Sequence, residues 1–338
     1  MRLVVSGGWF GRDGLWEVEV LDVLYSSDLS EIEGLEGFVL ISYDLTTKAL
    51  GVPVKERGLP PVVFLKTGRI KPCQPTEGGV DLDLVGMSLG EEEFKEKIER
   101  VKDFIASGDV YQINLTSEMR FGVRGSLETL FFKFHGRQPV PYSFYLDTGD
   151  LCVLSGSMEL FLKKNGDIIE SKPIKGTGRS AEEILASEKE RAENLMITDM
   201  VRNDLGRVAE TGSVRVEDLF RVEWYETLYQ MHSRVVARTR ESFSAIIENT
   251  FPPASVTGAP KYRAVQIIDE LEPHARGYYC GCAGFVKEDG DFTLSVLIRT
   301  AFGGGEEVSY FAGCGIVWDS DPEKEWRELL LKTRAFYP

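Results

Sequence analysis

The 338-residue sequence is short of several things, and each shortage removes a class of function. No apolar run approaches the roughly 20 residues that span a bilayer. The first ten residues are interrupted by Ser6, Gly7 and Gly8 and carry a single cation, so they do not read as a signal peptide. Cations are outnumbered: 39 Lys and Arg face 54 Asp and Glu, a formal net charge of −15. Affinity for phosphate backbones rests on clustered cations, and this balance argues against nucleic-acid binding. The three histidines, His135, His232 and His274, have no metal-pair spacing. The five cysteines form an odd, sparse set that suits a reduced, cytoplasmic protein. Cys280 and Cys282 have one residue between them, a closer spacing than zinc pairs, and read as buried thiols. A G-x-x-x-x-G-K-[ST] phosphate loop and a G-x-S-x-G elbow are both missing.

What remains is an ordinary globular composition, 43% apolar and 28% charged, long enough for one large domain or two. Residues 1–85 read as short strands (Leu15–Leu24, Gly37–Ser42, Val62–Leu65) broken by Gly and Pro, and residues 86–338 as one domain. Phe94, Ile98, Val101, Phe104 and Ile105 fall on one face of a helix over Glu91–Ser107, with Gly108 as its stop. Ala181–Val201 reads as one long helix, Val222–Thr239 as a strand, and Pro322–Phe336 as a C-terminal helix. Strands are expected at Gly281–Val286, Thr293–Thr300 and Glu307–Ala312, with Gly303–Gly305 as a hairpin turn. Strands in runs without strict alternation with helices favour an α+β fold.

Two helices carry acids at a suggestive spacing. Glu190 and Glu193 are three apart and share a face, as do Glu325 and Glu328, with Lys332 one turn later. Four carboxylates from two helices could hold one Mg²⁺, which prefers a few carboxylates plus water and an anionic substrate. In Ser171–Arg179, Pro173 and Gly176 flank Lys175 and fix a turn around it. A lysine held there between Ile174 and small residues loses hydration and presents its amine as a nucleophile.

Six stretches occur in one order: G-D-V-Y-Q-I-N-L-T (108–116), P-I-K-G-T (173–177), E-R-A-E-N-L-M-I-T-D-M-V-R-N-D-L-G-R (190–207), S-V-T-G-A-P-K (255–261), I-I-D-E-L-E-P (267–273) and G-I-V-W-D-S-D-P-E-K-E-W-R-E-L-L-L-K (315–332). Together they resemble the chorismate-utilising enzymes over roughly residues 90–338. That family includes anthranilate synthase component I, aminodeoxychorismate synthase component I, and isochorismate and salicylate synthases. The resemblance implies two packed antiparallel β-sheets flanked by helices, with Mg²⁺ and chorismate held between them.

Within the family, Lys175 in P-I-K-G-T is similar to the aminodeoxychorismate synthases, where anthranilate synthases place Ala. The resemblance implies a lysine adduct at C2 of chorismate, then ammonia entering at C4, to give 4-amino-4-deoxychorismate on the route to 4-aminobenzoate and folate. Gln112 stands where the water-adding members carry a lysine base, and an amide cannot take a proton from water near neutral pH. Glu159, in S-G-S-M-E-L-F, resembles the acid that protonates the leaving oxygen; Met158 and Leu160 depart from the family's proline and arginine. By resemblance Glu193 and Glu328 are direct Mg²⁺ ligands, and Glu190 and Glu325 act through water. The second substrate carboxylate would meet Arg299, Lys332 and the backbone of Gly313, Cys314 and Gly315. Ser255, Tyr279, His232, Gly176 and Thr177 match further pocket positions, and Lys261 could serve the substrate or cap a loop.

No G-x-C-x-G elbow and no cysteine at position 2 are present, so ammonia is expected from a separate glutamine amidotransferase subunit or from free ammonium. The N-terminal part is short for the family and lacks the acidic-serine motif of tryptophan feedback. Six residues follow Lys332, so no fused lyase is expected. Two alternatives stand beside this reading: an anthranilate synthase component I, and a non-catalytic scaffold for a glutaminase.

Overall fold

The computed structural model describes residues 1–178, 180–225 and 228–338, apart from the side chains of Thr177, Tyr225 and Leu228. In chain order the first strands are β1 (Arg2–Ser6), β2 (Leu15–Ser26), β3 (Gly37–Ile41), β4 (Val62–Pro72), β5 (Val80–Met87), β6 (Gln112–Gly125), β7 (Tyr142–Asp147), β8 (Cys152–Ser157) and β9 (Leu160–Asn165). There follow β10 (Ile168–Lys172), β11 (Ile174–Gly178), β12 (Arg215–Tyr225), β13 (Leu228–Arg238), β14 (Gly258–Ala259), β15 (Cys282–Val286), β16 (Phe292–Val296), β17 (Thr300–Gly304) and β18 (Glu307–Ile316). The helices are α1 (Thr46–Leu50), α2 (Glu91–Ala106), α3 (Leu127–Arg137), α4 (Ala181–Ala186), α5 (Glu188–Gly206), α6 (Phe243–Thr250), α7 (Lys261–Leu271) and α8 (Pro322–Leu331).

Every strand pairing is antiparallel. One sheet runs β5-β6-β18-β17-β8-β7-β1. The other runs β2-β4-β3-β15-β16-β9-β10-β13-β12, with β11 continuing β10 along β13. The 12-residue β2 joins them, pairing its first turn-side residues with β1 and most of its length with β4.

Side-chain alternation explains why the sheets face each other. Leu3 and Val5 of β1, Phe144 and Leu146 of β7, and Phe302 and Phe311 of β17 and β18 point into a core shared with β3, β4, β15 and β16. Their neighbours Val4, Tyr145, Ala301 and Tyr310 point the other way, into a second core roofed by α2, α3, α7 and α8. The far sheet is covered by α5 and α6. This is the α+β arrangement of two packed antiparallel sheets flanked by helices that the family resemblance implies.

Three elements differ from the sequence reading. The expected helix Ala181–Val201 breaks at Ser187, whose backbone is extended and whose hydroxyl accepts the Glu190 N–H at 3.2 Å. A serine cap offers an orphan N–H a partner, so a new helix starts there. The expected strand Val222–Thr239 is two paired strands, β12 and β13, with residues 226 and 227 between them outside the described residues. The expected strand Thr293–Thr300 is interrupted after Val296, because the chain leaves one sheet and enters the other. Arg299 makes that crossing with φ of 52°.

Helix α5 matters most for the site. Ile197, Val201 and Leu205, four residues apart, lock it onto the core; full burial of one such side chain contributes about 1.5–3 kcal/mol. Lower on the same helix, Asp204 pairs with Lys261 of α7 at 2.6 Å, both side chains 8% exposed. The Lys261 ammonium also donates to the Thr250 carbonyl at 2.8 Å. Lys261 is thus a buried pin between helices and does not line the cavity described next.

Candidate active site

A cavity of about 680 Å³ opens between α5, α8, β11 and β18. One wall is acidic. Helix α5, capped by Ser187, presents Glu190 and Glu193, and helix α8, capped by Asp321, presents Glu325 and Glu328. Burial and the neighbouring Glu193 hold the Glu190 carboxyl above its ordinary range. Burial raises Glu325 as well, with Glu328 adding to it, although Ser320 donates to its carboxylate at 2.8 Å. At Glu328 burial also pushes upward, but the Lys332 ammonium 2.7 Å away outweighs it and lowers the carboxyl. The Cys314 thiol lies within reach of Glu325 and Glu328. Burial pushes it up to about 12, so it stays protonated, and it donates to the Glu325 carbonyl at 3.3 Å. Carboxylate oxygens without a thiolate or imidazole suit a hard cation that keeps part of its water, the pattern of Mg²⁺.

Opposite the acids stands Lys175. Strand β11 carries it, and Asn194 of α5 holds its carbonyl through Nδ2 at 3.3 Å. Asn194 is itself fixed by the Ser233 hydroxyl. Gly176 follows with φ of 101°, a left-handed backbone that favours glycine, and this turns the strand so that Lys175 faces the cavity. The Lys175 charge reaches Glu159 on one side and Glu190 and Glu328 on the other. Gly315 makes room for the neighbouring Gln112: a Cβ there would lie 2.3 Å from Gln112 Nε2 and in contact with Lys175 Nζ at 3.4 Å.

Glu159 is 5% exposed, between β8 and β9. Burial raises its carboxyl to about 7, against the pull of Ser255, of the Lys175 charge and of the Ile174 N–H. A carboxyl half-protonated near neutrality is poised to give a proton to a leaving oxygen. The Ser255 hydroxyl sits beside it close enough to lower it, yet its Oγ is buried without a directed hydrogen bond among the described residues. An unsatisfied buried hydroxyl at a cavity wall is a place for a polar ligand atom.

The remaining wall is cationic and aromatic. Arg299 enters at the crossing between sheets and donates to the Lys332 carbonyl at 2.7 Å. The Lys332 ammonium donates to the Gly313 carbonyl at 2.8 Å as well as to Glu328. Tyr279 stacks on Phe311, ring centroids 5.1 Å apart, and both line the cavity.

The cavity therefore gathers Glu159, Lys175, Gly176, Glu190, Glu193, Ser255, Tyr279, Arg299, Gly313, Gly315, Glu325, Glu328 and Lys332. The side chains of three further named residues stand behind it, Cys314 among them, which was expected to offer only its backbone. Gln112 is buried beneath Gly315. Cys314 points into the opposite core, because alternate residues of β18 face opposite sides. His232 is buried on β13, in register with Ile174 and Arg221, its Nε2 3.8 Å from Glu223. Burial lowers its pKa, the pattern of a neutral core histidine. The Thr177 side chain lies outside the described residues. The sequence reading missed Lys189, which lines the cavity, and Asn194, which holds Lys175. Both sit in or beside the E-R-A-E-N motif, one turn or less from Glu193.

Comparison with known proteins places the fold and the family. The chain is 42% identical over 256 residues to anthranilate synthase component 1 of Aquifex aeolicus, covering 72% of this chain and 52% of that protein. It is 37% identical over 257 residues to aminodeoxychorismate synthase component 1 of Bacillus subtilis, covering 72% and 55%. The chain thus spans about half the length of these curated relatives. The crystal structure of anthranilate synthase component I from Streptococcus pneumoniae superposes with a TM-score of 0.79 at 24% identity, over 99% of this chain and 92% of that one, a likeness of fold. Residues 55–338 match the family described as chorismate binding enzyme, and the chain belongs to that family.

Proposed function

We propose that this chain is an aminodeoxychorismate synthase component I, which converts chorismate and ammonia to 4-amino-4-deoxychorismate. The observation that carries the reading is Lys175, a primary amine inside the cavity between the buried Glu159 and the four carboxylates. Arg299 and Lys332 would hold one carboxylate of chorismate, Arg299 offering paired hydrogen bonds. The Lys175 amine attacks C2 of the ring. The C4 hydroxyl leaves as water, taking its proton from Glu159. The new ammonium at C2 returns a proton to the Glu159 carboxylate, and ammonia then forms the bond to C4. The C2–N bond breaks with its electron pair on the Lys175 nitrogen, which takes the Glu159 proton and is released as an amine; the C4 ammonium gives its extra proton back to Glu159, and one water has been exchanged for one ammonia. Covalent catalysis divides one difficult substitution into two easier ones.

Glu193 and Glu328 would hold Mg²⁺ directly, with Glu190 and Glu325 reaching it through water, and the ion would neutralise the ring carboxylate. Ammonia would come from a glutamine amidotransferase subunit or from free ammonium, in the cytoplasm, for 4-aminobenzoate and folate. The identity to the Aquifex aeolicus anthranilate synthase component 1 favours a second reading, in which ammonia adds at C2 and Lys175 is a bystander. An adduct experiment separates the two. The protein is incubated with chorismate and Mg²⁺ without ammonium, reduced in size by proteolysis and read by mass spectrometry. Chorismate less one water on the peptide bearing Lys175 supports the lysine reading; an unmodified peptide, with anthranilate formed once ammonium is added, supports the other.

A further inference from the structure

Lys189 has no part in the chemistry above, yet it stands inside the acidic wall. Its Nζ lies 3.8 Å from Glu193 Oε1 and 3.7 Å from Glu325 Oε1, so it links α5 to α8 across the carboxylates. Its charge is felt by all four glutamates, which together hold the ammonium above its usual range despite the opposing effect of burial. Its position on the helix is unfavourable by itself, because the first turn of a helix prefers anions and Lys189 sits there between Glu188 and Glu190. The carboxylates are what keep it in place.

The distances distinguish this lysine from its neighbour. Lys332 is in hydrogen-bond contact with Glu328 at 2.7 Å and is anchored to the Gly313 carbonyl at 2.8 Å. Lys189 touches neither of its acids closely and leaves half its side chain in solvent. A long side chain that keeps its stem on the protein can swing its head group into water at small cost.

We infer that Lys189 is the resident counter-ion of the carboxylate cluster and is displaced when the metal binds, so that it sets the metal affinity of the site. The inference rests on the Mg²⁺ reading of the four glutamates. With the ammonium in place, repulsion among the acids is relieved before any metal arrives. A divalent cation held by Glu193, with Glu325 reaching it through water, must first expel the positive charge that these two acids share, which lowers its affinity. The site would then fill firmly only when the anionic substrate adds its own carboxylate to the cluster, coupling metal to substrate.

The test is a calorimetric titration of MgCl₂ into the wild-type chain and into Lys189→Met, Lys189→Arg and Glu193→Gln, each without substrate, with melting temperatures recorded alongside. Lys189→Met keeps the length of the side chain and removes its charge. It is expected to bind Mg²⁺ up to about fivefold more tightly, the scale of one half-exposed ion pair. Its metal-free melting temperature is expected to fall below wild type, and Lys189→Arg to stay near wild type in both readouts. Equal or weaker Mg²⁺ binding by Lys189→Met overturns the inference while leaving the metal site intact. Absence of binding by every variant, or binding unchanged in Glu193→Gln, overturns the metal reading and the inference with it. Binding by Lys189→Met where wild type shows none would support displacement in its strongest form.

Discussion

Replacing Glu159 by Gln should make the protein more stable and much less active. The carboxyl is 5% exposed and raised by burial to about 7, whereas an exposed glutamate titrates near 4.5. Between those two values the native state binds more protons than the unfolded state. Stability therefore falls as pH rises through that window, and the loss is complete above about pH 7. The gap of about 2.5 pH units corresponds, at 1.36 kcal/mol per unit, to about 3 kcal/mol. Gln fills the same space and does not ionise, so Glu159→Gln avoids this cost. For 338 residues the unfolding entropy is about 0.7 kcal/mol/K, which makes the expected gain about 4 °C. The assay is thermal denaturation of both metal-free proteins from pH 5 to 9. The two curves should lie close together at pH 5, separate through pH 6 and 7, and run parallel above pH 8. Amination of chorismate by the variant should fall by about 10²-fold or more, the usual contribution of a positioned acid. Curves that stay parallel throughout would refute the buried, raised carboxyl and with it the assignment of Glu159 as the acid.

Three further outcomes are expected. Gly315→Ala should fold but lose about 10²-fold in turnover, because its Cβ would press on Gln112 and push that amide against its neighbours in the site, and a displacement of about 1 Å costs that much; unchanged turnover would show that the notch is idle. Lys261→Met should destabilise the chain by about 3–5 kcal/mol, since Asp204 would be left buried and unpaired, and adding Asp204→Asn should recover part of that loss in a denaturant titration. Chelation by EDTA should abolish product formation and added Mg²⁺ should restore it, whereas activity indifferent to EDTA would remove the metal from the mechanism.

Much of the site was legible because its parts lie in contiguous motifs with local geometry. The three-residue spacings of Glu190 with Glu193 and of Glu325 with Glu328 set each pair on one helix face, and the structure places both pairs on one wall. That they meet is a tertiary fact, which the spacing allowed as a shared Mg²⁺ site and the family resemblance singled out. The break at Ser187 had a signal, since S-E-K-E is a capping-box pattern, but the apolar period on either side masked it. The crossing at Arg299 had none, because a positive φ at a non-glycine residue is imposed by the two sheets it connects. The side chains of His232, Gln112 and Cys314 lie off the cavity wall for a common reason. A motif names residues near the substrate without saying which side of the strand each one takes, and these three take the side behind the cavity. Lys189 was passed over because a lysine among acids on a helix reads as a solvated surface until a second helix closes over it.

The central claim is that Lys175 directs ammonia to C4 of chorismate. Product analysis tests it most directly. The pure chain is incubated with chorismate, Mg²⁺ and ammonium near pH 8.5, beside Lys175→Ala, and the products are identified by mass spectrometry and fluorescence. The account predicts 4-amino-4-deoxychorismate from the native chain, lost or greatly slowed in the variant. Anthranilate from the native chain, formed equally well by Lys175→Ala, would contradict it.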